Sequence, residues 1–537
     1  MRTGAFALAL LAAVPLAPAA PAQDAPGNQK PAAPKFDPRY VEQADQIRDE
    51  TLEKYAVFAR WCESERMLLQ ARYLCNEILE RSPEHEIRAL SDKLRAIPPN
   101  DFKNKNRSTK KMLKEYEQKR ASIDVPAAKK YEKLAGWAKK EGLAAEEEDA
   151  YVRAFSYFKW DKDVNRFLAK AGYDVIPNYG LLSKSEKQRF ARVLRDVEGK
   201  FLDESHKAYE RERKSWPDAW GFETKHFMLC SNASHEIVFP FAEECETLYE
   251  GLRVYGGTEL TFRDNYKSEK LVVWLFGDET SYEVVLQTLG IPKNQNAGAA
   301  GFFGPYKRSY FFWADRFYGR GRPLDEGLRK LAETFYHEGT HQMMAQQLDV
   351  KSKGGGPKYK SFWCVEAIAN YLETMEATRT EDGTRKFVFG FPHSYEGWRA
   401  ANSHLIGAYF TANDKTKYKF VPLKIFTTND QGGYMANGAD SYNQAMGLAH
   451  YLNHAEGGKH KAAWFEYVRQ QYTLNGASEH LWDLCGVTED ELTRGYVEWC
   501  RALKYEPARL PPGGPPGGPP GGQPPGGQPP GGAPSGG

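Results

Sequence analysis

The sequence lacks an apolar run long enough to cross a bilayer, which takes about 20 residues; the longest candidate, Ala5–Leu16, falls short. It also lacks a charge imbalance. Its 73 basic residues stand against 71 acidic ones, a formal charge of +2 that falls to +1 without Arg2. No membrane span is expected, and neither nucleic acid nor an anionic membrane surface is expected as a partner. There is no C-x-x-C pair, which argues against a cysteine-held zinc or a thioredoxin-type redox site. No glycine cluster follows a strand and opens a helix as G-x-G-x-x-G, so a dinucleotide site is not expected. Nor is there a second carboxylate cluster of the kind that holds a metal pair for phosphoester hydrolysis.

What is present centres on Leu324–Leu348, and within it on His337-Glu338-Gly339-Thr340-His341. Leu324, Leu328, Leu331 and Phe335 recur at spacings of four, three and four, an apolar stripe that predicts a helix. Pro323, Asp325 and Glu326 suit its start, and Gly354-Gly355-Gly356-Pro357 guarantees a stop. Side chains four apart on a helix lie on one face, roughly 5–6 Å apart at Cβ. Two imidazoles at that separation can converge on one tetrahedral ion, typically zinc. Glu338 sits beside the open position, where a carboxylate can act as general base toward an activated water. A chain of this composition would contain H-E-x-x-H by accident at most about 0.035 times. The competing reading is a pair of surface or capping histidines on an amphipathic helix.

A third ligand is available downstream. Phe362–Glu373 is a helix-compatible apolar run with one carboxylate, Glu366, near its buried face of Val365, Ala369 and Leu372. A charge so placed needs a cation or a metal. A salt bridge to one of the nearby lysines is the alternative.

The motif, Glu366 placed 25 residues after His341, and the surrounding Trp-x-x-Glu-Ala-x-Ala-x-Tyr pattern together resemble the gluzincin metallopeptidases, the thermolysin-like clan. In more detail the chain is similar to exported bacterial proteins carrying a gluzincin-type domain of unknown function. The resemblance covers roughly Trp216 to Leu503. It implies an α+β, zincin-like domain: a twisted sheet, an active-site helix and a helical C-terminal subdomain. It implies one zinc ion held by His337, His341 and Glu366, with Glu338 as catalytic base and a peptide or protein as substrate. Two positions depart from the family pattern. Ala367 replaces the usual glycine, and Asn370 replaces an Asp that in many members supports a ligand histidine, which leaves open whether Asn370 supports one here. By the same resemblance the strand before the active helix forms the sheet edge, so Tyr310, Phe311, Phe312 and Trp313 would bind substrate backbone by strand addition. The alternative is that the four aromatics fill the sheet core. An oxyanion donor is also required; Tyr442 is the first candidate, with Tyr434 and His450 as alternatives.

The rest of the chain reads in order. Arg2, Ala5–Leu16 and Ala20-Pro21-Ala22 have the layout of a secretory signal peptide over residues 1–22. An exported protein is therefore expected: periplasmic, cell-envelope or secreted. Residues 23–38 read as a flexible linker. Residues 39–200 read as charged helices containing two similar helical hairpins, Lys54–Pro83 and Lys130–Phe155, each with a Trp (Trp61, Trp137) near the end of its first helix. These resemble degenerate tetratricopeptide (TPR-like) units, which stack and often bind partner proteins; with only two of them, a helical spacer or docking module is expected rather than a repeat array. The catalytic region is expected at 215–505, with strands at Phe222–Ser231, Lys270–Phe276 and Ser309–Phe317. Helices are expected at Phe239–Tyr255 and from Asp440 through Leu452, the latter capped by Asp440 or Ser441. Gly298–Pro305 reads as a loop, and the region after Glu373 as helical with loops at Thr378–Thr384 and Thr427–Gly438. The P-P-G-G repeat of 506–537 cannot build a core and is expected to be disordered. Seven cysteines leave at least one unpaired; Cys62–Cys75, Cys230–Cys245 and Cys485–Cys500 are the candidate pairs by proximity. A second functional reading is a non-catalytic cell-envelope scaffold on the same fold, with the helical hairpins as its working surface.

Overall fold

The computed structural model describes residues 36–97, 105–106, 109–159, 161–176, 179–203, 205–213, 216, 219–263, 269–278, 281–282, 285–286, 301–304, 307–313, 324–348, 361–380, 383–390, 420–436, 438–472 and 480–502. The leader, nearly all of the 23–38 linker, the Gly354–Pro357 stop, residues 314–317 and the 506–537 tail lie outside these. The chain divides into two compact units, Met1–Ala171 and Gly172–Gly537. The first ends well before residue 200, the boundary expected from charge density, because the segment after Ala171 forms strands.

The first unit is all helical: α1 (Pro38–Ser64), α2 (Leu68–Arg81), α3 (Arg88–Arg95), α4 (Lys110–Lys140), α5 (Ala144–Tyr157) and α6 (Lys162–Ala171). Pro38 stands at the start of α1, and the Asp37 carboxylate accepts the Arg39 N–H at 2.8 Å, so the first turn is capped. α1 packs on α2 and α4 on α5, two hairpins with three-residue turns. The two tryptophans do equivalent work. Trp61 takes the Lys119 ammonium over its ring at 4.7 Å, and Trp137 takes the Arg39 guanidinium at 5.4 Å.

The second unit is α+β. A small hairpin, β1 (Asp174–Ile176) and β2 (Gly180–Leu182), leads into α7 (Lys184–Asp196), β3 (Lys200–Leu202) and α8 (Lys207–Arg213). Then come β4 (Trp220–Glu223), β5 (Phe227–Ser231), α9 (His235–Gly256), β6 (Leu271–Phe276), β7 (Gly301–Gly304), β8 (Arg308–Phe312), α10 (Leu324–Gln347) and α11 (Phe362–Glu373). A hairpin of β9 (Glu376–Arg379) and β10 (Arg385–Val388) follows, then α12 (Ala439–His454), α13 (Lys461–Gln471) and α14 (Glu489–Ala502), with short helical turns at Leu423–Phe426, Gln431–Met435 and Leu481–Leu484.

Six strands form one mixed sheet in the order β3-β4-β5-β6-β8-β7. β5, β6 and β8 run parallel, and the outer pairings are antiparallel. Period-two alternation sorts the side chains cleanly. Phe227, Leu229, Leu271, Val273, Leu275 and Phe311 face one core with the helices, whereas Met228, Cys230, Trp274, Phe276, Tyr310 and Phe312 face another. A sheet covered on both faces explains the unbroken apolar run at Leu271–Phe276. On the second face the buried Glu212 accepts from the Trp274 indole at 3.1 Å and from Arg308 Nη2 at 3.0 Å, so a buried charge is paired and bonded.

Several expectations change. Phe222–Ser231 is not one strand but the β4–β5 hairpin, turning at Thr224–His226. The Gly298–Pro305 loop contains a strand, β7, and the region after Glu373 opens with a hairpin rather than a helix. Gly438, not Asp440 or Ser441, is the N-cap of α12; the Ser441 hydroxyl donates instead to the Tyr434 carbonyl at 2.7 Å. All seven cysteines are free thiols, six of them buried, so none of the three proposed pairs is joined.

The largest correction concerns β8. It lies between β6 and β7 with both edges hydrogen-bonded, and Tyr310, Phe311 and Phe312 are buried in the two cores. Trp313 extends the β6 ladder, its N–H donating to the Phe276 carbonyl at 2.7 Å. Tyr310 and Phe311 therefore lie inside the sheet and their backbone offers no edge to a substrate; the pairing with β7 ends opposite Phe311, short of Phe312 and Trp313. Among the described residues, the terminal strand on this side is β7.

Candidate metal centre

α10 carries His337, Glu338 and His341 across the middle of the second unit. Two anchors fix its rotation. Gln342 accepts from the Ser309 hydroxyl at 2.9 Å and donates to the Val272 carbonyl at 2.9 Å, tying the helix to β6 and β8. Gly339 sits where α9 passes closest; a Cβ there would lie 2.6 Å from Leu248 Cδ2, so a side chain at this position would push the helices apart.

On that scaffold the imidazoles of His337 and His341 turn their Nε2 atoms toward each other at 3.2 Å. Glu366, from α11, places Oε2 3.2 Å from His337 Nε2 and 3.6 Å from His341 Nε2. The three residues form the one cluster among the described residues able to hold a metal ion. Ligand atoms about 2.0–2.1 Å from a tetrahedral zinc lie about 3.3 Å from one another, so these separations fit such an ion. The chemistry of the donors fits as well. Glu366 Oε2 is buried and makes no hydrogen bond. Buried lone pairs converging at these distances need a proton or a metal ion between them.

The tautomer is set from behind. His337 Nδ1 lies 2.8 Å from Glu373 Oε2, and Glu373 is 3% exposed. A carboxylate there holds the proton on Nδ1 and leaves Nε2 bare for a metal. Glu373 thus supports His337; the Asn370 amide donates to the Tyr442 carbonyl at 3.3 Å. The sequence carried a signal for this, since Glu373 lies seven residues after Glu366, two turns along the same helical face. Without a metal, burial pulls the His337 imidazole down, but the Glu366 and Glu373 carboxylates beside it outweigh that and raise it to about 10. Burial also pushes Glu366 up, yet the two imidazoles hold it well below the usual carboxylate range. We expect Glu373→Ala to weaken zinc binding about 10–100-fold, the usual effect of removing such a support; competition with a zinc chelator of known affinity measures it.

Glu338 completes the centre. Its Oε2 accepts the Phe303 N–H of β7 at 2.8 Å, and burial holds its carboxyl above the ordinary range. Sequence reasoning missed β7 and therefore this contact.

The three oxyanion candidates lie on or beside α12. Tyr442 Oη meets Met435 Sδ at 3.8 Å, and its ring packs edge-on to Tyr434 at 5.3 Å. Tyr434 is fully buried and also packs against Phe362. His450 accepts from the Trp499 indole at 3.1 Å, and burial lowers its pKa to about 3, which makes it a neutral, half-buried histidine at ordinary pH. No family model matches the chain, and no curated protein shows significant similarity to it.

Proposed function

We propose that this chain is an exported zinc-dependent peptidase of gluzincin type, with a zincin-like second unit and a TPR-like helical unit that docks substrate or a partner protein. The observation that carries the proposal is the convergence of His337 Nε2, His341 Nε2 and Glu366 Oε2 within 3.6 Å of one another, with Glu338 adjoining. Zinc held by those atoms would supply Lewis acidity toward a scissile carbonyl and acidify a water. Glu338 takes that water's proton and passes it to the leaving amine. The Phe303 N–H fixes Glu338 Oε2, leaving Oε1 for proton transfer. Glu373 keeps His337 in the tautomer the site needs. Strand addition by an extended substrate falls to β7, whose Phe303 already adjoins the base, and not to β8. Tyr442 remains the proposed oxyanion donor.

The test is zinc content and hydrolysis of a denatured protein, measured before chelation, after it, and after zinc is restored. Stoichiometric zinc with activity that follows it supports the reading. A protein that binds no zinc, or that hydrolyses equally well without it, overturns it.

A further inference from the structure

Outside the metal centre the second unit contains a cavity of about 690 Å³, within the range of small-molecule sites. Its walls are the outward face of α9, the Lys225–His226 turn, Asp196 at the end of α7, and the β9–β10 hairpin. Four cations line it (Lys225, Arg253, Arg379, Arg385) against two carboxylates, Asp196 and Glu250. Those carboxylates are already engaged. Asp196 holds Arg379 Nη1 at 3.2 Å, and Glu250 holds Arg385 Nη1 at 2.7 Å. Glu243 behind them takes Arg379 Nη2 at 2.8 Å and is itself matched by Arg192 at 2.8 Å. Lys225 and Arg253 have no carboxylate partner among the described residues. Arg253 bonds only the Tyr249 hydroxyl, at 3.3 Å, and lies over that ring. The wall thus carries two positive charges in excess, in a concavity that concentrates their field.

Two further features point to a ligand. Arg385 is 8% exposed; its buried Nη2 makes no hydrogen bond and has only a long contact to Glu243 Oε1 at 3.8 Å, so it keeps donor capacity for a ligand. An aromatic platform adjoins the cations: the His226 and Tyr249 rings stack at 3.6 Å with 10° between their planes. That platform is rigid. Glu246 accepts from His226 Nδ1 at 2.5 Å, from the His226 N–H at 2.8 Å and from the Thr224 hydroxyl at 2.5 Å.

We propose that this cavity binds a small phosphomonoester carrying a flat or apolar group. A phosphomonoester bears about −1.5 to −2 charges near neutrality, matching the excess, and guanidinium forks suit its oxygens. The flat group lies against the His226–Tyr249 platform. The site is independent of the peptidase reading, and its test does not use hydrolysis.

The experiment is calorimetric titration of the full chain with phenyl phosphate, and in parallel with benzoate, at fixed ionic strength. Saturable one-to-one binding of phenyl phosphate and none of benzoate is expected. The pair Lys225→Glu and Arg253→Glu should weaken binding about tenfold or more, with an unchanged melting temperature. The control pair Lys207→Glu and Lys424→Glu, outside the cavity, should leave it intact. Absence of saturable binding overturns the proposal, as does equal binding of benzoate. Equal loss in the control pair, or binding that survives the cavity reversal, would show bulk charge or the metal centre to be responsible and overturns it too.

Discussion

Glu338→Gln is expected to lower hydrolysis of a denatured protein by about 10²–10⁴-fold, the usual contribution of a positioned general base, while zinc stays stoichiometric. The substitution keeps the size of the side chain and its acceptor for the Phe303 N–H, so the helix and β7 should stay in register. It removes only the group that can take and return a proton. The proposed zinc ligands are other residues, so metal content separates loss of chemistry from loss of the site. Wild type and variant are compared for kcat, zinc content and melting temperature. If neither form hydrolyses peptide bonds although both hold zinc, the scaffold reading replaces the enzyme reading. If the variant retains wild-type activity, Glu338 is not the base.

His337→Ala should abolish zinc binding and destabilise the protein by more than chelation alone does. In chelated wild type the imidazole still bridges Glu366 and Glu373, carboxylates 8% and 3% exposed. Removing it leaves two buried acids without the imidazole that joins them. Breaking a buried pair of this kind costs about 3–5 kcal/mol. Denaturant titration of wild type and variant, both in chelator, isolates that difference from the stabilisation by bound metal. Zinc retained by the variant would count against His337 as a ligand, and equal stability in chelator would count against the bridge.

How far the site was legible follows from the range of the interactions involved. His337, Glu338 and His341 are fixed by one helix, and the apolar stripe of Leu328, Leu331 and Phe335 announced that helix directly. Glu366 was legible as a charge on an otherwise apolar helix. Glu373 was less legible, because the family pattern points to the position of Asn370, one turn after Glu366, whereas the helix crossing brings His337 two turns along. The aromatics at 310–313 suited an edge and a core equally well, since a strand's composition does not say how many neighbours it has. β7 was hidden in a glycine-rich segment, because two of its four residues offer no side chain to a pattern.

Sequence alone determined the helix that presents two imidazoles and a carboxylate on adjoining faces, because a 3.6-residue period acts within one element. It also determined the all-helical first unit and the doubly covered strand at Leu271–Phe276, for the same reason of local periodicity. Tertiary structure decided the strand order that buries β8 and puts β7 against Glu338. It also decided the crossing of α10 and α11 that closes the triad with Glu366 and sets Glu373 behind His337. Those outcomes depend on pairings between residues tens of positions apart, where loop closure and shape complementarity choose the partner and no local pattern records the choice.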